Sequence, residues 1–156
     1  MTVMRHIRFR AWDKHRKEMN YKVLVGNTDV NHENYTCNLI WVDDKKEWVN
    51  ADDICIDLMQ WSGFKDKNGR DIYEGDIFRH EIEHDNGDNV YYTIVVFIPE
   101  WGLFGNLNHD EYLKYLDMGE DAIDAQSFWT FTLEDSKEHS VCGNIYQNKF
   151  KEELSL

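Results

Sequence analysis

Residues Leu58–Phe78 read LMQWSGFKDKNGRDIYEGDIF, and no other stretch restricts the fold as strongly. Met59, Trp61 and Phe64 supply apolar side chains before a charged turn, Lys65–Arg70. Within that turn Asn68-Gly69 is a strong hairpin signal, because both residues tolerate positive φ. Ile72, Tyr73, Ile77 and Phe78 resume strand character. Gly75-Asp76 between them marks a bulge or sharp bend, where glycine removes a Cβ clash. A bend soon after a hairpin curls a small sheet towards a barrel. The block holds no nucleophile–base pair and no phosphate loop.

The rest of the chain reads mainly as strands. Ile7, Phe9 and Ala11 alternate with Arg8, Arg10 and Trp12. Met19–Val25 returns as the second arm of a hairpin, closed by Gly26. Asn27–Tyr35 is a polar loop, Cys37–Val42 and Glu47–Asn50 are strands, and Asp52-Asp53 opens a brief helical turn. Phe78–His84 and Val90–Ile98 form the strongest hairpin, joined at Asp85-Asn86-Gly87-Asp88. Its second arm is β-branched and aromatic, which suits a central strand. Pro99 stops further ladder pairing.

One helix stands out. Asn108 with Glu111 three residues on has the form of a capping box. Tyr112, Leu113, Tyr115 and Leu116 follow at helical spacing. The pattern predicts a helix over Asp110–Met118, ended by Gly119. Ser127–Leu133 and Ser140–Tyr146 read as strands, and Lys149–Leu154 as a terminal helix. The fold class is mainly β with a minor α part. The expected architecture is an SH3-like small β-barrel lobe over 58–156 beside an N-terminal β lobe over 1–57, or one compact unit of both.

At 156 residues the chain can bury roughly 70% of its unfolded surface, so a core forms without staples. Cys37, Cys55 and Cys142 are odd in number and lack a CxxC pattern. That argues for a reducing compartment and buried, inert thiols. No signal peptide is legible, and no apolar run approaches the ~18 residues that span a bilayer. The expected location is the cytoplasm.

Charge is uneven. Net charge is −13, yet residues 1–22 hold seven Lys/Arg against two acids, a net of +5. The remainder carries ten basic and twenty-eight acidic groups, a net of −18. The basic hairpin either sits beside acidic neighbours or offers a contact surface; solvated charge runs are the commoner case.

Three motifs bear on chemistry. His80-Glu81-Ile82-Glu83-His84 matches H-E-x-x-H, in which a helix brings two His to one Zn²⁺ and the Glu acts as base. In a strand the two His stand ~13 Å apart, four steps of ~3.3 Å. They then cannot share a metal at ~2.0–2.1 Å. The Asn86-Gly87 turn favours the strand, so His80 and His84 remain only an alternative zinc site, and no cofactor is expected. Arg8, Arg10 and Trp12 could stack on bases and track phosphates. The alternative is ordinary strand alternation with a buried Phe9, and the strongly acidic remainder opposes nucleic acid; with Trp61 these residues are the candidate binding set of a protein-binding module. The acids Asp43-Asp44, Asp52-Asp53 and Asp117, Glu120, Asp121, Asp124 lack the spacing of a calcium loop. The last group could also imitate the phosphates of a nucleic acid.

Three pieces resemble one family. They are Ile7-Arg8-Phe9-Arg10-Ala11-Trp12-Asp13, the Leu58–Phe78 block, and Gly143-Asn144-Ile145-Tyr146-Gln147-Asn148. Together they resemble the YopX family, small proteins encoded by phages and prophages. Phe64 and Trp61 stand where that family more usually has Leu and Tyr, and Glu81–Lys137 matches none of its motifs. The resemblance implies fold and genomic origin, hence a bacterial host. It carries no established activity, so no catalytic residues transfer. The expected function is a non-enzymatic accessory protein that binds a host or phage protein. Aromatic edge strands also leave room for a homo-oligomer.

Overall fold

Runs of β-branched and aromatic residues, broken by Asn/Asp/Gly turns, give twelve strands among the described residues. The computed structural model describes residues 6–26, 37–51, 55–82, 89–123, 129–130 and 133–147. The chain divides into two units, Met1–Trp61 and Ser62–Leu156.

In the first unit, β1 (Phe9–Asp13) lies between β2 (Glu18–Asn20) and β6 (Ile56–Lys65), antiparallel to both. Asp13 closes the β1–β2 turn by accepting the amides of His15 at 2.9 Å and Arg16 at 2.8 Å. A second sheet has the order β3 (Val23–Gly26), β4 (Cys37–Val42), β5 (Glu47–Asn50). Met19–Val25 is therefore not one strand. The break falls at Tyr21-Lys22, where Asn20 Oδ1 accepts the Lys22 amide at 2.8 Å. Asn20 Nδ2 also donates to the Trp41 carbonyl at 2.9 Å, tying the break to β4. A polar side chain that bonds the backbone locally competes with the ladder, and here it hands the chain from one sheet to the other. Ala11, Ile40 and Val42 form the buried core of this unit, with Val23, Val49 and Ile56 against them.

β6 runs on past the division. In the second unit its last residues neighbour β7 (Asp71–Tyr73). A five-stranded antiparallel sheet follows, built from β8 (Asp76–Ile82), β9 (Asn89–Ile98), β10 (Leu103–Asn108), β11 (Trp129–Thr130) and β12 (Val141–Asn144). Its order is β11-β10-β9-β8-β12: four successive strands, with the last strand of the chain returned beside the first. β9 is the middle strand. Ile94, Val96 and Ile98 face one side with Ile77, Leu107 and Tyr112. Val95 faces the other with Ile72 and Phe78. Period-2 alternation thus separates two cores.

The helix is α1 (His109–Met118), and its capping box forms as expected. Asn108 Oδ1 accepts the Glu111 amide and Glu111 Oε2 accepts the Asn108 amide, both at 3.0 Å. Gly119 ends it at φ 68° and leads into a 3-10 turn, Gly119–Ala122. Ser127–Leu133 is not a single strand: Trp129–Thr130 is extended against β10, but Leu133 opens a short helix, α2 (Leu133–Glu138). The alternation that suggested a strand ran across a helix start. The Asn27–Tyr35 loop, the Asp52-Asp53 turn, the Asp85–Asp88 turn and the Lys149–Leu154 helix lie outside the described residues. Among the described residues no helix is long and apolar enough to cross a membrane.

Gly75 sits at the corner that the sequence marks. Its φ is +75°, and a Cβ there would meet Ile145 Cγ1 at 3.1 Å. Its amide donates to the Val95 carbonyl at 2.8 Å and its carbonyl accepts the Ile145 amide at 2.9 Å. Gly75→Ala should lower stability by about 1–3 kcal/mol, from the left-handed backbone and the displaced Ile145. Gly69→Ala also has positive φ, but nothing lies within 4 Å of its Cβ position. Urea melts of the two should therefore rank Gly75→Ala as the more damaging.

Candidate functional site

The two signature pieces of the second unit meet, and their polar groups hold backbone. Asp66 is buried. Its Oδ1 accepts the Asn68 amide at 2.8 Å and the Arg70 amide at 2.9 Å; its Oδ2 accepts the Val141 amide of β12 at 3.1 Å. Asp76 Oδ2 accepts the Tyr73 amide at 2.8 Å. Asn144 Oδ1 accepts the amides of Tyr146 at 3.0 Å and Gln147 at 3.2 Å. A buried side-chain acceptor that satisfies two or three amides is a structural keystone, because losing it strands each donor. These residues lock a corner rather than present chemistry.

His80 lies in β8, paired with Tyr91 of β9, and Glu81 pairs with Val90. The segment is extended there, so it lacks the helix on which the H-E-x-x-H geometry depends. His84 lies outside the described residues. The His80 ring stacks on Tyr91, with centroids 4.6 Å apart, and meets His139 at 4.5 Å. Its Nε2 pairs with Thr93 Oγ1 at 2.8 Å. His80 is thus packed into a ring cluster, and no group of three or more metal-ligating side chains gathers among the described residues.

In the first unit, Arg10 and Trp12 share one face of β1, Arg8 just before the strand continues that alternation, and Trp61 joins them from β6. The Trp61 amide donates to the Arg8 carbonyl at 2.8 Å. The Arg8 guanidinium lies 3.8 Å from the centroid of the Trp61 ring, a cation–π contact. Arg10 corrects the expectation of an exposed basic strip. It is only 4% exposed, and its Nε points to Met59 Sδ at 3.4 Å. β1 is a middle strand with both edges paired, and Ala11 and Asp13 are buried on the side opposite Arg10. Arg8 is exposed and Trp12 and Trp61 are half-buried.

The basic excess of residues 1–22 meets local acids. Lys14 pairs with Asp57 at 2.7 Å, Arg16 with Asp44 at 2.8 Å and Lys22 with Asp43 at 2.9 Å. The hydrogen bond to Asp57 pushes the Lys14 ammonium above its ordinary value. These pairs are exposed, and such pairs add little stability.

The outer face of the β3–β4–β5 sheet was not singled out by the sequence. Register puts Leu24 opposite Leu39 and Trp41 opposite Trp48. The two indoles meet edge to face, with centroids 5.6 Å apart. Trp41 Nε1 donates to Asp43 Oδ1 at 2.9 Å, and Lys22 Nζ donates to the same carboxylate at 2.9 Å. Lys22 first and Trp41 second hold the Asp43 carboxyl below its ordinary value. Its small stabilising share is present above the unfolded pKa and is lost as pH falls through the folded one. Leu24 is 50% exposed and Trp48 42%. The signal was available: alternation in Cys37–Val42 and Glu47–Asn50 around a four-residue turn aligns the two indoles.

The thiols also differ from expectation. Cys55 and Cys142 are both exposed. Cys142 falls where the β12–β8 register shifts between Val141 and Gly143. A bulge breaks the alternation that would have turned it inward. The side chain of Cys37 lies outside the described residues.

Comparison with known proteins adds identity. One solved structure, "Crystal structure of protein EF1440 from Enterococcus faecalis", matches with a TM-score of 0.52 at 20% identity, over 92% of this chain and 96% of that one. At that identity the likeness concerns fold alone. No curated protein matches the chain. A family model described as "YopX protein" matches residues 8–150, which takes in all but the first residue of the Ile7–Asp13 piece, the Asp66–Asp76 corner and the Asn144 turn. The chain belongs to the YopX family.

Proposed function

We propose that this chain is a non-enzymatic accessory protein, encoded by a phage or prophage, that binds a protein of its bacterial host or of the phage. The observation that carries the reading is the exposed pair Leu24 and Trp48 over half-buried Leu39 and Trp41 on one sheet face. Tryptophan anchors on a preformed surface are typical of binding hot spots. The polar residues that could suggest catalysis are committed elsewhere, to backbone in the case of Asp66, Asp76 and Asn144. Arg8 stacked on Trp61 supplies a second accessible contact, with Trp12 on the same strand face; buried Arg10 supports that face from within. The strand order β11-β10-β9-β8-β12 supports an SH3-like barrel as the scaffold of the second unit.

The test is affinity capture from infected host lysate with the wild-type protein and a Trp48→Ala, Leu24→Ser variant. The wild type should retain a specific protein that the variant releases. Capture of no protein at any stage of infection would sink the proposal. Elemental analysis tests the enzymatic alternative: the purified protein should hold far less than stoichiometric zinc. One tightly held zinc per chain, lost on His80→Ala, would reinstate a hydrolase.

A further inference from the structure

The second unit carries eight Lys/Arg and twenty Asp/Glu, a net of −12. The imbalance is steepest around α1. Residues 100–124 include seven carboxylates and a single basic residue, Lys114. Amid those acids α1 leaves its largest apolar side chains uncovered. Leu113 is 41% exposed, Leu116 62% and Met118 58%. Tyr112 and Tyr115 already supply the contact with the sheet, Tyr112 in the core and Tyr115 donating its hydroxyl to the Phe97 carbonyl at 3.4 Å. The leucines are therefore not needed to dock the helix.

Spacing organises this face. Leu113 and Leu116 are three apart, so they adjoin on the helix surface. Asp110 and Asp117 flank them at the neighbouring turns, and Glu120 and Asp121 follow in the 3-10 turn. Single exposed leucines are ordinary on a protein surface. An i, i+3 leucine pair edged by carboxylates is an amphipathic feature with its apolar side turned to solvent.

We infer that the Leu113–Leu116 face of α1 is a docking surface for a basic amphipathic helical segment of a partner protein. The inference deepens the protein-binding reading above and rests on it. Charge complementarity selects this occupant. A nucleic acid or an anionic lipid surface would meet repulsion here, whereas Lys/Arg beside leucine would meet carboxylates beside leucine. The acids are already crowded: burial first, then Glu100 and Asp121, push the Glu120 carboxyl above its ordinary value. A cationic ligand would relieve that crowding.

The probe is a labelled four-turn peptide of Lys and Leu, its leucines at i, i+3, i+4 and i+7, followed by fluorescence anisotropy on the full chain. Binding should be measurable at roughly 0.15 M salt and should weaken steeply as salt rises. A scrambled peptide of the same composition, with its leucines dispersed, should bind about tenfold more weakly or worse. A Leu113→Ser, Leu116→Ser variant, altered only at exposed positions, should lose a similar factor. Equal binding of the scrambled peptide would overturn the proposal, as would indifference to the double substitution. Two arms separate this failure from failure of the broader reading. If Trp48→Ala weakens peptide binding and the leucine variant does not, the α1 face is wrong while protein binding stands. If the chain sediments as a dimer that the leucine variant dissociates, the face is covered by a second copy and the proposal fails.

Discussion

Ile94→Ala is expected to cost about 2–5 kcal/mol, the range for emptying a buried aliphatic site. Ile94 is fully buried. It sits on the middle strand β9, opposite Ile77 on β8 and opposite Leu107 on β10. Those neighbours belong to the same core as Tyr112 of α1. Both strand neighbours are fixed by ladder pairing and the helix by its caps, so the cavity has little means of collapse. The magnitude therefore belongs towards the upper half of the range. For a chain of this length each kcal/mol lowers the melting temperature by about 2–4 °C. Val90→Ala is the control on the same strand: Val90 is exposed, and its change should stay within about 0.5 kcal/mol. Urea denaturation of both variants checks the pair. A drop for Ile94→Ala no larger than that for Val90→Ala would mean that β9 is not the centre of the core.

Asp66→Ala should be nearly as damaging, at about 2–4 kcal/mol, for a different reason. The side chain contributes little apolar area; it accepts three backbone amides. An unmet buried donor costs about 1–3 kcal/mol. Asn68 and Arg70 lie in an exposed turn, where water can replace the lost acceptor in part. Val141 cannot be rescued so easily, because its amide lies in the β12 ladder region and is one of the bonds that tie the turn to β12, beside Arg70 Nη1 donating to the Val141 carbonyl. Asp66→Asn should fall between wild type and alanine, since one oxygen can still serve Asn68 and Arg70. Amide exchange locates the effect: the Val141 amide should lose more protection in Asp66→Ala than the amides of β9. Equal loss at both places would indicate general destabilisation and no specific tie.

Together these predictions describe a corner whose polar residues have a mechanical role. Asp66, Gly75, Asp76 and Asn144 build a corner, fix its left-handed backbone and attach the last strand. A substrate is not needed to account for any of them. Binding is better sought on surfaces that the signature leaves free, the tryptophan face of the first unit and the leucine face of α1.

Local physics in the chain determined much of this protein. Asn108, Glu111 and Gly119 defined α1, because a capping box and a left-handed glycine act within a few residues of one another. Asn-Gly pairs and period-2 alternation located most strands, and Gly75-Asp76 located the corner. Tertiary structure alone decided what depends on neighbours distant in sequence. Arg10 is buried with its Nε against Met59 of β6, a neighbour distant in sequence that no reading of residues 7–13 reveals. Asn20 splits one apparent strand between two sheets through a bond to Trp41. Trp41 and Trp48 form an outward pair because β3 and β5 align on β4, and Cys142 turns out because a bulge shifts β12 against β8. Side-chain alternation is a property of one strand, whereas exposure is a property of everything packed against it.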